Sequence, residues 1–307
     1  MSNPTILTID LNFQNMPGVI GVYLLPHEKG ALLIESGPAS TRHNLIGNLE
    51  QYGFSPSDIT DVFLTHIHLD HAGAASWWAG LGARIHVHPK GASHLINPEK
   101  LVASATRIYG TQMDTLWGNF SPVPVSQINI LNDCDIITIG GITIKALDAP
   151  GHANHQLAYL VGDACFTGDI GGVRVHNQQY ISLPMPPPDL NIPQWRTSIR
   201  RLLEHHPQRI VPTHFGVYED AEWHLQTVLD LLDETDRWIK DTISPDMTEE
   251  NFREKFAQFE IERARKAGFD DLTAKAQQLA NPSFMSANGI LRYWKKFSNC
   301  SGMKSLN

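Results

Sequence analysis

Four short apolar runs in this chain are each followed, within a few residues, by a histidine or an aspartate. The run 61–64 leads into Thr65-His66-Ile67-His68-Leu69-Asp70-His71, and 142–147 leads into Asp148-Ala149-Pro150-Gly151-His152. The run ending near Cys165 leads into Phe166-Thr167-Gly168-Asp169, and 209–211 leads into Pro212-Thr213-His214. Strands that end in polar loops are how α/β proteins place functional groups along one edge of a sheet. The pattern predicts a sheet-and-helix fold in which His66, His68, Asp70, His71, His152, Asp169 and His214 converge on one site.

The elements around these runs read in two unequal parts. Up to about Phe215, strands are expected at 5–11, 19–25 and 31–35, with Pro17-Gly18 and Glu28-Lys29-Gly30 as turns between them. Leu45, Ile46 and Leu49 at helical spacing predict a helix over 42–52 that Gly53 stops, before a strand beginning at 61. A helix over 72–81, strands over 84–87, 142–147, 156–165 and 209–211, and a helix over 193–205 follow. Pro184-Met185-Pro186-Pro187-Pro188 reads as a stiff extended loop. From about Tyr218 the pattern turns helical: Ala221, Leu225, Val228, Leu232 and Ile239 form an apolar stripe, and Phe252, Phe256 and Phe259 repeat the device. This divides the chain into a domain of residues 1–218 and a helical extension, 219–307. The extension is expected to pack on the first part, to pair two copies as a homodimer, or to cover a pocket as a lid.

Composition narrows the function classes. With 42% hydrophobic and 18% charged residues the chain is globular, and no stretch approaches the roughly 18 apolar residues of a membrane span. The first residues lack a basic segment followed by an apolar one, so no secretory signal is read and a cytoplasmic location is the expectation. Cys134, Cys165 and Cys300 are scattered without a CxxC pair, which argues against disulfides and thiolate zinc sites; they read as core residues. A net charge of −8 is the wrong sign for tracking nucleic-acid phosphates. Histidine, at 15 copies, is the anomaly.

That anomaly points to metal. His66 and His68, two apart in an extended stretch, present both imidazoles on one face, while Asp70 and His71 turn toward a neighbouring point. The spacing suits two adjacent metal ions better than one.

Together, the HxHxDH loop at 66–71, the Gly151-His152 turn, Thr167-Gly168-Asp169 and the late His214 resemble the metallo-β-lactamase fold hydrolases, over roughly residues 5–216. The resemblance implies an α/β fold built as a four-layer αβ/βα sandwich with metals at one end. Carried over, His66, His68 and His152 resemble the ligands of one metal, Asp70, His71 and His214 those of a second, and Asp169 the bridging carboxylate. Having both His71 and Asp169 is similar to the dinuclear glyoxalase II-like thioesterases and lactonases. The implied cofactors are two divalent ions, foremost Zn2+, with Mn2+ and Fe2+ as alternatives. The implied activity is hydrolysis of a small ester, thioester or lactone by a metal-bound hydroxide, with Asp70 orienting it or passing a proton.

Three residues are candidates for the substrate: Arg174 for an anionic group, Tyr180 for a carbonyl, and His88, which alternates with His86 at a strand end that relatives place near their site. The proline loop with Met185 is expected as an apolar pocket wall. Ile170-Gly171-Gly172-Val173-Arg174 lacks the Cys of the glutathione-binding segment in glyoxalase II relatives. His155, His205, His206 and His224 read as surface or structural residues, and Trp77 and Trp78 as packing. The alternatives are a mononuclear iron persulfide dioxygenase, an RNA-processing-type phosphodiesterase, disfavoured by the −8 charge, and a non-enzymatic metal binder. Flavodiiron electron transfer is disfavoured because those relatives replace the histidine at the position of His68 with Glu. A small-molecule substrate is the expected partner, with no nucleic acid and no membrane.

Overall fold

The computed structural model describes residues 3–300 apart from 177 and 245, with side chains up to 296. β1 (Leu7–Asp10), β2 (Gly21–His27), β3 (Gly30–Ile34), β4 (Ile59–Phe63), β5 (Arg84–Val87) and β6 (Ile128–Ile130) form one sheet in that order, antiparallel up to β3 and parallel beyond it. A second sheet contains β7 (Ile136–Ile139), β8 (Ile142–Asp148), β9 (Leu157–Val161), β10 (Ala164–Phe166) and β11 (Arg209–Val211), ordered β11-β10-β9-β8-β7, with β10 and β11 its parallel pair.

The two-residue period of each strand sorts side chains into layers. Val22 and Leu24 of β2 face outward onto α1 (Arg42–Gln51), α2 (Leu69–Ala72), α3 (Ala75–Gly80) and α4 (Pro89–Ile96), in a core that includes Leu45, Leu49, Trp78 and Leu95. Tyr23 and Leu25 point the other way and meet Ile144, Leu157, Tyr159 and Phe166 of the second sheet. The outer face of that sheet, through Leu147, Ala158 and Cys165, is covered by further helices. Helices, sheet, sheet and helices therefore make the four layers expected.

Boundaries moved where burial on both faces hides a break. The apolar stretch 156–165 is a hairpin, β9 and β10, because Gly162 takes φ +61 in a tight turn. The helix expected over 72–81 is split into α2 and α3, since the His71 carbonyl accepts from Ser36 N–H and Ala74 N–H donates to the Gly37 carbonyl instead of continuing the helix. Residues 89–117, for which no element was expected beyond 87, contain α4, α5 (Glu99–Tyr109) and α6 (Met113–Leu116). Cys165 is buried; Cys134, expected in the core, is exposed on a turn at φ +65 beside Arg201, and the Cys300 side chain lies outside the described residues.

After α7 (Ile192–Glu204) the chain is helical: α8 (Ala221–Thr242), α9 (Glu249–Lys266), α10 (Asp271–Ala280) and α11 (Ser283–Cys300). The stripe Leu225, Val228 and Leu232 packs with Trp195 and Ile199 of α7, and Phe252 and Phe256 join the same core. Phe259 stacks on Trp238 with ring centroids 4.8 Å apart. The apolar faces that suggested a partner are thus covered by this chain's own elements. α11 lies directly on the proline loop: a Cβ at Gly289 would collide with the Met185 carbonyl, so only glycine permits the approach. None of the described helices is long and apolar enough to cross a membrane.

Candidate metal centre

Each ligand candidate sits at a strand end. His66 and His68 follow β4, Asp70 and His71 open α2, His152 follows β8, Asp169 lies in a 3-10 turn after β10, and His214 follows β11. The structure brings all seven together in two groups that could each hold an ion, His66–His68–His152–Asp169 and Asp70–His71–His214, with ligand atoms within 4.8 Å of one another inside each group.

Asp169 stands between the groups. Its Oδ2 is 3.3 Å from His152 Nε2, and its Oδ1 is 3.2 Å from His71 Nε2 and 3.4 Å from His214 Nε2. Asp70 Oδ2 lies 3.5 Å from His71 Nε2 and 3.4 Å from His214 Nε2. On the other side, His68 Nδ1 is 2.9 Å from His66 Nε2 and 3.0 Å from His152 Nε2.

The outward ring nitrogens are held by groups that sequence reading left unassigned. His152 Nδ1 faces the Pro184 carbonyl at 2.8 Å, His214 Nδ1 the Val19 carbonyl at 2.7 Å, and His66 Nδ1 the Thr65 hydroxyl at 3.1 Å. His71 Nδ1 faces Glu35 Oε1 at 3.0 Å. Glu35 is fully buried and also accepts from Thr65 Oγ1 at 2.5 Å and Thr213 Oγ1 at 3.0 Å, so one carboxylate ties both ends of the 65–71 loop to the segment that carries His214. Such contacts fix the ring and leave the inward nitrogen as the donor to a metal.

The electrostatics ask for cations. Burial and mutual repulsion hold His66 well below the usual imidazole range and His68 down at about 3; burial also lowers His152. With their Nδ1 atoms turned to Pro184 and Thr65, His152 Nε2 and His66 Nε2 both present lone pairs to His68 Nδ1, which can donate to only one of them, so at least one acceptor is left for a cation. Around His71 and His214 burial lowers the pKa, but Asp70 and Asp169 outweigh it and raise both. The same contacts overcome burial at Asp70 and hold it at about 2, and they push Asp169 down as well. His71 Nε2 and Asp169 Oδ1 are buried without a hydrogen-bond partner: they are close but misaligned for a hydrogen bond. Imidazole nitrogens and carboxylate oxygens without a thiolate fit Zn2+, Mn2+ or Fe2+.

Residues 16–214 match the profile of the metallo-beta-lactamase superfamily, a span that ends on the last of the seven side chains. The chain belongs to that superfamily. Within it, the metallo-beta-lactamase fold-containing protein ST1585 of Sulfurisphaera tokodaii is 26% identical over 220 residues, 69% of this chain and 80% of that protein. An atrochrysone carboxyl ACP thioesterase of Aspergillus fumigatus is 24% identical over 221 residues, 71% of this chain; the match spans 57% of the thioesterase's own length. Among solved structures, the metallo-beta-lactamase family protein TTHA1429 of Thermus thermophilus covers 97% of this chain and 95% of its own at a TM-score of 0.70 and 17% identity, so the shared fold extends through the C-terminal helices.

On this superfamily site opens a cavity of about 280 Å³. His68, Asp70, His152, Asp169 and His214 form its floor. Its walls come from Phe13, Leu101, Ile108, Tyr109 and Trp117 on one side and from Pro184, Pro186, Leu279 and Phe284 on the other. The proline loop is a wall as expected, but Met185 turns into the core behind it. Trp117 stacks on Phe13 at 5.5 Å and meets Tyr109 edge-on at 5.1 Å. Burial, followed by the nearby Asp70 carboxylate, raises the Tyr109 pKa, which keeps the phenol protonated.

Arg174, Tyr180 and His88 are not among the lining residues. Val173 bridges back to Ser182, and the loop between them contributes no residue to the cavity lining. Arg174 is buried, bidentate to Asp220 at 2.7 and 2.9 Å, and lies over the rings of Tyr218 and Trp223. Tyr180 packs edge-on against Phe269. His88 accepts from Lys90 N–H at the start of α4 and faces Asp148 at 3.1 Å. His155, expected at the surface or as a satisfied structural residue, is buried beside His66 and His68 with Nδ1 unpartnered. His224 is structural, facing the Gly171 carbonyl at 2.7 Å. Trp78 is buried in the core and Trp77 packs beside it.

Proposed function

We propose that this chain is a dinuclear metal-dependent hydrolase of an uncharged ester, thioester or lactone. The observation that carries the reading is the cavity's composition: a floor of clustered imidazoles and carboxylates under apolar walls, with no Lys or Arg among the lining residues. A polyanion would enter facing Asp70 and Asp169 with no protein cation for its remaining charges. RNA falls in that class, which weighs against the phosphodiesterase reading; the two carboxylates of a glutathione conjugate would likewise find no Lys or Arg in the lining, which weighs against the persulfide dioxygenase reading. The thioesterase relative supports an acyl thioester among the three carbonyl classes.

In this reading His66, His68 and His152 would hold one cation and Asp70, His71 and His214 the other, with Asp169 between the two groups available to both. When bound, such a pair supplies water acidified toward neutrality and a Lewis acid for the scissile carbonyl. The chain does the rest. The Asp70 side chain, a fifth exposed on the floor, takes and passes the proton that must reach the leaving group. The Tyr109 hydroxyl donates to a polar atom of the substrate, and the aromatic wall around it excludes water.

The test is elemental analysis of protein purified without added metal, followed by turnover of matched ester, thioester, lactone and phosphodiester substrates. About two Zn2+, Mn2+ or Fe2+ per chain with hydrolysis of an uncharged carbonyl substrate is expected. Replacement D169A is expected to lose at least one ion and the activity. A single iron with oxygen uptake, or turnover of phosphodiesters alone, overturns the reading.

A further inference from the structure

The cavity above the floor has a direction. α5 lines it with Leu101 and Ala105 and the α10–α11 corner with Leu279 and Met285, while the polar side chains of that corner, which also reach the lining, are engaged by their own neighbours. Asn281 donates to Ser182 Oγ and the Leu183 carbonyl, Ser286 bonds Asn281 and Met185 N–H, and Gln278 bonds Ser283. Ile108 and Phe284, 40% and 45% exposed, line the same cavity from α5 and α11. Large apolar side chains left in water on two facing elements above a reactive floor describe the mouth of a slot that receives an apolar chain.

Resting on the hydrolase reading, we propose that the substrate's acyl part is an uncharged, apolar chain of about six to eight carbons. It lies between α5 and the α10–α11 corner, and its end emerges between Ile108 and Phe284. The length follows from volume. At ~30 Å³ per non-hydrogen atom, the share of a water in the liquid, 280 Å³ holds about nine such atoms, of which the carboxyl and leaving atoms occupy the floor.

Two measurements on the metal-loaded protein test this. The first is kcat/KM for 4-nitrophenyl acyl esters and the matching thioesters from two to twelve carbons, with the leaving group constant. The second is calorimetric titration with 1-octanol and 1-butanol, which reads the slot without turnover. Each methylene removed from water is expected to raise kcat/KM about three- to fourfold up to roughly eight carbons, with a plateau beyond, and octanol is expected to bind at least tenfold tighter than butanol. Replacement A105F, which fills the slot, is expected to collapse the C8-to-C2 ratio of kcat/KM to about one and to remove the octanol preference. Replacement F284A, at an exposed position where folding is not at risk, is expected to lower the plateau about threefold. A flat chain-length profile with equal binding of the two alcohols overturns the slot while leaving the hydrolase reading intact. Octanol preference without hydrolysis of any ester, thioester or lactone overturns the hydrolase reading and leaves the slot standing.

Discussion

Replacing Glu35 by Gln isolates how the fold aims a ligand. Glu35 Oε1 serves His71 Nδ1, Thr65 Oγ1 and Thr213 Oγ1, and its Oε2 accepts from Thr65 N–H at 3.3 Å. Glutamine preserves the shape and can keep one oxygen toward the first three. Its amide nitrogen then faces the Thr65 N–H, donor against donor, and the three remaining bonds lose their charge. A buried donor left unsatisfied costs about 1–3 kcal/mol, offset in part because a neutral side chain is easier to bury. Urea unfolding of chelator-treated E35Q is therefore expected to show a loss of about 1–3 kcal/mol. The larger effect should be on metal: the bond to His71 Nδ1 is kept but loses its charge, so the imidazole is held less firmly and is a weaker donor, and affinity should fall about 10- to 100-fold, read by competition with a chromogenic chelator. An E35Q protein with wild-type unfolding midpoint and metal affinity within threefold of wild type would refute the view that Glu35 aims His71.

Three further outcomes are expected. Replacement Y109F should lower kcat/KM on a carbonyl substrate about five- to tenfold, the value of roughly one hydrogen bond, without changing metal content; an unchanged kcat/KM removes the phenol from the reaction. Burial pushes the Glu260 carboxyl up to about 7 from 4.5. The associated stability is complete below pH 4.5 and is lost as pH rises through 7, by on the order of 3 kcal/mol relative to E260Q; a pH-independent difference in unfolding free energy between the two proteins would show that the group is not held neutral. Replacement R174M should destabilise the fold by about 1–3 kcal/mol, a value reduced because Asp220 is one third exposed, and should leave the preference between anionic and neutral esters unmoved; a lost preference for an anionic ester would return Arg174 to substrate binding.

Much of the site was legible because its parts are local. His66, His68, Asp70 and His71 are neighbours in the chain, and His152, Asp169 and His214 each follow a recognisable strand. The layers were legible too, since alternation such as Val22/Tyr23/Leu24/Leu25 states which side chains share a face. The hairpin at Gly162 was hidden, because β9 and β10 are buried on both faces and read as one apolar run. Arg174 and Tyr180 were misread for a related reason: distance along the chain from Asp169 says nothing about the Val173–Ser182 bridge that carries them off toward α8 and α10.

By itself, then, the sequence determined which atoms can bind metal and that they gather at strand ends, because ligand chemistry belongs to residue type and strand ends are marked locally. Only the tertiary structure decided what surrounds them. Glu35 lies 36 residues from His71, and Thr213 reaches it from 178 residues away. Leu101, Ile108, Trp117 and Phe284 are apolar residues that would read the same whether they filled a core or lined a void. Which of their faces meets empty space depends on how α5, the proline loop and α11 pack, and no local pattern encodes that.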